Sequence, residues 1–443
     1  MRRPKIVVEP PGPKARELIE RDRRLLSPSL TRTAPLVGVE AEGCWVRDID
    51  GNEYLDFGSG IAVTNVGHRH PRVVETVKRE VERLIFVNSC DFYTVPQVEL
   101  AEKLAEITPG DFDKRVFFTN SGTEAVECAL KVTRYHTGGY YFIGFIGGFH
   151  GRTMGSLQFT TTSLSARRRF QPMMPGVIHA PYAYCYRCPL GHEGYPECGL
   201  ACLAYLEDWI LKRVAPPEEV AGIMFEPVQG AGGYIVPPAD WVRGLRRISD
   251  EHGIPLIDDE VQAGMGRTGR WWAVEHFGVV PDVVTISKAI AAGFPFGACV
   301  TRADIMDWAP GAHENTLGGN PVLSRVALTV IDIIEREGLL ENASRMGEYL
   351  KKRLEELAGE FELIGDVRGL GLMVGVEFVR DRRTKEPATE ERNRVIEEAF
   401  KRGLILLGAG PSSLRLAPPL VITREEVDVG VEILREAIRA VVS

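Results

Sequence analysis

Four short segments carry side chains that would do chemistry if a fold brought them together. The first is Asn120-Ser121-Gly122-Thr123-Glu124-Ala125, between an apolar run at 115–119 and a helical stretch through Leu130. Small and hydroxylated residues at a helix start leave backbone N–H groups and hydroxyls for a phosphate. An ordinary Ser/Thr N-cap is the alternative. The second is Phe149-His150-Gly151-Arg152-Thr153, after a Gly-rich turn at 144–148. Phe149 offers a plate for a planar ligand, and Arg152 a bidentate clamp for a carboxylate; core packing and plain surface charge are the alternatives. The third is Ile257-Asp258-Asp259-Glu260-Val261-Gln262. An acid directly after a buried strand is costly unless a cationic or protonated group meets it; a structural ion pair or a helix cap also satisfies it. The fourth is Ile286-Ser287-Lys288-Ala289. Desolvation lowers the pKa of a lysine that closes an apolar strand and makes it an amine nucleophile, whereas a lone lysine is usually solvated surface.

Read together, these are a phosphate cradle, an aromatic plate, a buried acid and a strand-terminal amine. Pyridoxal 5'-phosphate (PLP) needs that set: a Schiff-base lysine and an anion for the pyridinium nitrogen. One motif points elsewhere. Gly264-Met265-Gly266-Arg267-Thr268-Gly269 fits G-x-G-x-x-G. It does not come straight out of a strand, it leads into Trp271-Trp272, and no acid ends a strand about 20 residues later, so a dinucleotide site is disfavoured.

The elements that must position these residues follow an α/β rhythm. From about 70 to 330, short apolar runs (115–119, 140–143, 221–225, 254–258 and 282–286) alternate with amphipathic helical stretches. Continuous apolar strands separated by helices predict a buried, mostly parallel sheet with helices on both faces, and ligands then sit at the strand carboxyl ends. Residues 1–35 read as a Pro- and charge-rich arm ending in a short helix. Residues 36–63 read as a hairpin around Asp50-Gly51-Asn52. Residues 331–360 read as one long amphipathic helix, and 361–443 as strand-strand-helix-strand-helix. The expected division is therefore 1–69 as arm and part of a small domain, 70–330 as the large domain, and 331–443 as the C-terminal part of an α+β small domain.

With 443 residues, 44% apolar and 26% charged, the chain is too long and too apolar to be a disordered segment or a small disulfide scaffold. Its net charge of −8 gives no general attraction for nucleic acid or anionic membranes. The basic start is followed by too short an apolar stretch for a secretory signal, and no run approaches the ~18 residues of a bilayer span, so a cytoplasmic enzyme is expected.

Six motifs together carry a resemblance: Ser121-Gly122-Thr123-Glu124-Ala125, Phe149-His150-Gly151-Arg152-Thr153, Glu226-Pro227-Val228-Gln229-Gly230, Asp259-Glu260-Val261-Gln262 with Gly264-x-Gly266-Arg267-Thr268-Gly269, Ser287-Lys288, and Thr316-Leu317-Gly318-Gly319-Asn320-Pro321. Over nearly its whole length the chain resembles class III PLP-dependent aminotransferases of the 4-aminobutyrate/ornithine branch, which also contains amino-acid racemases. The resemblance implies a fold-type I α/β homodimer with interface active sites. It implies that Lys288 forms the Schiff base and shuttles the proton, that Asp259 pairs with the pyridinium N–H, and that Gln262 bonds the ring 3'-oxygen. Val261 and Phe149 would sandwich the ring. Ser121, Gly122 and Thr123 would hold the phosphate, and Thr316 would reach the partner subunit's phosphate. Arg415 would take the α-carboxylate of glutamate or 2-oxoglutarate, Glu226 would mask Arg415 when an ω-amine donor is bound, and Arg152 would take the donor's distal carboxylate. The implied reaction is ping-pong transfer of an amino group from a 4-aminobutyrate- or ornithine-like ω-amino acid to 2-oxoglutarate. The alternative is racemisation. It needs a proton donor on both faces of the carbanion, and Ala231 stands where relatives can carry an acid.

Four of the eight cysteines cluster as Cys185-x2-Cys188 and Cys198-x3-Cys202, flanking His192 inside an aromatic segment at 182–205. Thiolates at this spacing suit zinc or iron–sulfur; local disulfides and reduced core thiols are the alternatives.

Overall fold

The structure, a computed structural model, describes residues 2–442. Its centre is a seven-stranded sheet in the spatial order Lys114–Thr119, Gly297–Arg302, Val283–Ile286, Leu256–Asp259, Val220–Phe225, Tyr141–Phe145, Val177–Ala180. All neighbours run parallel except Gly297–Arg302, which is antiparallel to both strands beside it. Strands Val220–Phe225 and Val283–Ile286 are buried at every residue, and their unbroken apolar sequences follow from cover on both faces. One face carries Phe142, Met224 and Ile257 against Val126 and Leu130 of the helix Gly122–Thr137. The other carries Phe145, Phe225 and Leu256 against Trp241 and Leu245 of the helix Ala239–His252. Successive residues of one strand thus serve opposite layers, as the two-residue repeat of a strand requires.

The two chain ends meet in a second sheet. The antiparallel strands Gly38–Glu42, Trp45–Asp48 and Glu53–Asp56 are extended by Leu404–Ile405, parallel to Glu53–Asp56. A third sheet, antiparallel throughout, holds Ile364–Leu370, Met373–Phe378, Ser413–Leu416 and Leu407–Ala409.

Three expectations need correction. The helix of the N-terminal segment is Pro13–Leu25, in the middle of 1–35 rather than at its end. The single helix at 331–360 is two, Pro321–Arg336 and Leu339–Glu360, broken at Gly338, whose φ of +60° lies in the left-handed region open to glycine. The strand Gly297–Arg302 had no counterpart in the apolar-run reading. The G-x-G-x-x-G segment is a clamp: fully buried Arg267 donates to the carbonyls of Leu372 (3.0 Å) and Pro418 (2.5 Å) and to Asn65 Oδ1 (2.5 Å), tying the large sheet to both chain ends.

Candidate active site

The carboxyl ends of Leu256–Asp259 and Val283–Ile286 lie side by side, with Asp259 paired in register to Thr285. Lys288 follows directly, in a left-handed backbone (φ +48°) at the start of the short helical turn Lys288–Ala291. Such strain in a non-glycine residue is maintained where the surroundings over-determine it, and it clusters at functional sites. Burial pushes the Lys288 amine down to about 8; Asp259 and Glu226 act against that shift and Arg415 adds to it. The amine therefore shares one electrostatic space with all three groups.

Asp259 is buried. Its Oδ2 stands 2.6 Å from His150 Nδ1, and its Oδ1 accepts from Thr285 Oγ1 (3.2 Å) and from the Val261 N–H (3.1 Å). Burial works against charging His150, but the Asp259 carboxylate outweighs it and raises the imidazole above its usual range. This answers what meets the acid at the strand end. His150 lies in a quoted motif, yet no role was read for it, because nothing in the spacing says which way its ring turns. Asp258, one residue earlier, faces the opposite layer. Its carboxyl is raised well above the usual range, first by burial and then by Glu260, while burial pushes Glu260 up to about 8. Glu260 accepts from the Val274 N–H (2.8 Å).

Ser121 caps the helix Gly122–Thr137, accepting from the Glu124 N–H. The N–H groups of Gly122 and Thr123 have no partner among the described residues. A Cβ on Gly122 would stand 2.8 Å from Val261 Cγ1, so the helix start and the Val261 side chain are as close as glycine permits. Thr123 Oγ1 bonds Ser156 Oγ (2.7 Å) and accepts from the Arg152 N–H (3.3 Å), joining the first two sequence segments. Gln262 is buried with its Oε1 unpartnered. An anion cradle, an amine, a buried Asp–His pair and an unsatisfied buried amide converge here, which fits a pyridine-phosphate cofactor.

Arg415 lies on Ser413–Leu416, close enough to lower Lys288, and its buried Nε has no partner. Burial lowers its pKa, and Tyr234 partly opposes that. Among the described residues no ion pair joins Glu226 to Arg415. Glu226 is buried, with Oε1 accepting from the Phe149 N–H (2.9 Å) and Oε2 from the Gly230 N–H (2.8 Å). Backbone N–H groups on the turns at 149 and 230 capture the carboxylate, and burial pushes it up to about 7. Arg152 is exposed, its guanidinium 5.3 Å from the Phe149 ring centre. Thr316 is exposed too, on a loop that Asn315 pins by donating to the Phe118 carbonyl (2.8 Å).

With this geometry in hand, similarity to known proteins can be weighed. The family described as "Aminotransferase class-III" matches residues 28–438. A leucine/methionine racemase of Thermococcus litoralis is 43% identical, covering 95% of this chain and 95% of that protein. A probable 4-aminobutyrate aminotransferase of Bacillus subtilis is 40% identical, covering 91% and 93%. Among solved structures, a thermostable (S)-enantioselective ω-transaminase from Thermomicrobium roseum superposes with a TM-score of 0.89 at 35% identity, covering 97% of this chain and 99% of that one. The fold is accordingly the fold-type I α/β architecture that the motifs implied.

Proposed function

Since the chain belongs to the class III aminotransferase family, we propose that it is a PLP-dependent aminotransferase of the cytoplasm, moving an amino group from an ω-amino acid of the 4-aminobutyrate or ornithine type to 2-oxoglutarate in two half-reactions. The observation that carries this reading is the convergence on one cleft of Lys288, its amine lowered by burial, and Arg415, whose buried Nε has no partner.

When bound, PLP supplies an electron sink that acidifies the substrate Cα–H. The chain's own residues do the rest. Asp259, backed by His150, would supply the anion for the ring nitrogen. Gly122 and Thr123 would present N–H groups to the phosphate at a helix start, and Gln262 would bond the ring 3'-oxygen. Arg415 orients a carboxylate bidentately, fixing which carbon stands beside Lys288. The Lys288 Nζ, partly neutral at pH 7–8, takes a proton at one atom and returns it at another, as a general base with a pKa near the working pH does best. Ile85, Phe92 and Tyr93 are exposed, and Ser89 Oγ and Asn320 Nδ2 tie their segment to the 315–320 loop that carries Thr316. An apolar surface of this kind suits a second copy of the chain, so the site is read as an interface of a homodimer. Tyr93→Glu should give monomers in sedimentation and lose activity; an active monomer would refute the interface reading.

Racemisation is the second reading, and one observation favours it: among the described residues no carboxylate pairs with Arg415, so an α-carboxylate can be bound in every cycle. One assay separates the two. Purified protein with PLP and 2-oxoglutarate is given a series of amino donors and glutamate is measured. Glutamate from an ω-amino acid supports the aminotransferase, and none from any donor overturns it. Without keto acid, loss of chirality with deuterium uptake at Cα marks the racemase. Lys288→Ala should abolish either activity, a loss of at least ~100-fold for removing the proton-transferring group.

A further inference from the structure

The four clustered cysteines take no part in the chemistry above. In the fold, Cys185, Cys188, Cys198 and Cys202 line one small cavity of about 20 Å³, with exposed His192 at its rim. Cys185–Arg187 is a single helical turn, and the Gly191 N–H closes the next turn on the Cys188 carbonyl (3.1 Å). Cys198 lies in the turn before the helix Ala201–Ala204 and Cys202 within that helix, and both line the same cavity. All four are free thiols. Each thiol would give up its proton on binding a metal ion.

A space of about 20 Å³ holds roughly one water-sized sphere, enough for a single ion. Paired short spacings of Cys-x2–4-Cys are those of tetrahedral zinc. Among the described residues no three such side chains already stand in a metal-holding arrangement, so an ion would draw the thiols inward around the cavity.

The surroundings show what such an ion would do. The turn bearing Cys185 also bears Tyr184 and Arg187. Tyr184 donates its hydroxyl to Glu377 Oε2 (2.5 Å) and Arg187 Nε donates to Glu377 Oε1 (2.7 Å). Glu377 is fully buried and accepts from Arg368 (2.7 Å) and Ser413 Oγ (2.7 Å) as well. Ser413 begins the strand that carries Arg415, and Arg368 donates to the carbonyls of Gly233 and Tyr234 beside it.

We propose that Cys185, Cys188, Cys198 and Cys202 bind one zinc-class divalent ion as four thiolates, and that this ion fixes the Tyr184–Arg187 turn on Glu377 and so positions the Arg415 strand. Metal analysis of the purified protein should find one zinc per chain. Cobalt(II) in its place should give the strong visible bands of a tetrahedral thiolate site. The denatured, chelator-treated protein should titrate as eight free thiols. No zinc and no cobalt bands, or four thiols lost to two disulfides, would overturn the site. These readouts are independent of activity, so they stand or fall separately from the proposed reaction, and the cobalt spectrum needs no variant to fold. Cys188→Ser with Cys198→Ser should lose the ion, while Cys90→Ser, outside the cluster, should keep it. In folded, zinc-free protein the KM for the carboxylate substrate should rise about tenfold with kcat changed less, the range found when support of a bound group is removed; an unchanged KM would refute the positioning role.

Discussion

At the scale of single residues, Lys288 carries a measurable cost. Its amine titrates near 10.5 in the unfolded chain and near 8 in the fold without cofactor, because the cleft strips water from the charged form. Between those values the unfolded chain binds more protons than the folded one, so stability rises with pH from about 8 to about 10.5. Below pH 8 the whole cost is present, on the order of 3 kcal/mol at ~1.4 kcal/mol per pKa unit. Lys288→Met removes the charge and keeps the volume. Cofactor-free Lys288→Met should therefore melt several degrees above the cofactor-free wild type at pH 7, with the gap closing toward pH 10.5. Calorimetry at pH 7 and pH 10 measures it, and a gap that does not depend on pH would rule out desolvation as the cause.

At the scale of elements, the phosphate cradle depends on how closely one helix start approaches one strand end. Gly122 opens the helix Gly122–Thr137 with no room for a Cβ beside Val261. Alanine suits a helix better than glycine by up to about 1 kcal/mol. Gly122→Ala should thus leave the melting temperature of the cofactor-free protein nearly unchanged. It should weaken PLP about tenfold, a loss of ~1.4 kcal/mol, by pushing Val261 into the ring's place. Absorbance titration with PLP reads the affinity, and equal affinity would show that Val261 yields freely. This element pair also shows what a sequence can disclose. Ser121, Asp259 and Lys288 were legible because each follows an apolar run, and chain order alone puts strand ends together. The partners of Glu226 gave no such signal: they are backbone N–H groups on two turns, one of them 77 residues away, and no spacing records where a carboxylate will find them. The break at Gly338 was missed because apolar periodicity continues on both sides of it. The strand Gly297–Arg302 escaped because its Gly-Ala-Cys start lacks a strong apolar run.

At the scale of the whole molecule, one buried anion joins three regions that chain order keeps far apart. Glu377, on Met373–Phe378, receives Tyr184 and Arg187 from the cysteine segment and Arg368 and Ser413 from the C-terminal sheet, while Arg368 reaches the loop at 233–234. Nothing in the run Met373-Val374-Gly375-Val376-Glu377-Phe378 marks its acid as central. Burial by itself opposes ionisation of Glu377, but Arg368, the Tyr184 and Ser413 hydroxyls and Arg187 outweigh it and hold the carboxyl down to about 2. A group depressed from about 4.5 to about 2 contributes stability that is fully present above pH 4.5 and is lost as pH falls toward 2. Glu377→Gln keeps the shape but leaves Arg187 without its anion and Arg368 with Asp366 alone, a change that costs about 3–5 kcal/mol in a buried ion pair. The difference in urea stability between wild type and Glu377→Gln should be largest at pH 5–7 and should shrink by about 3 kcal/mol as pH falls through 4.5 toward 2, as protonation removes the same charge from the wild type. If the difference held constant from pH 7 to pH 3, Glu377 would be acting by shape and hydrogen bonding alone, and its charge would not be what binds the cysteine segment to the Arg415 strand.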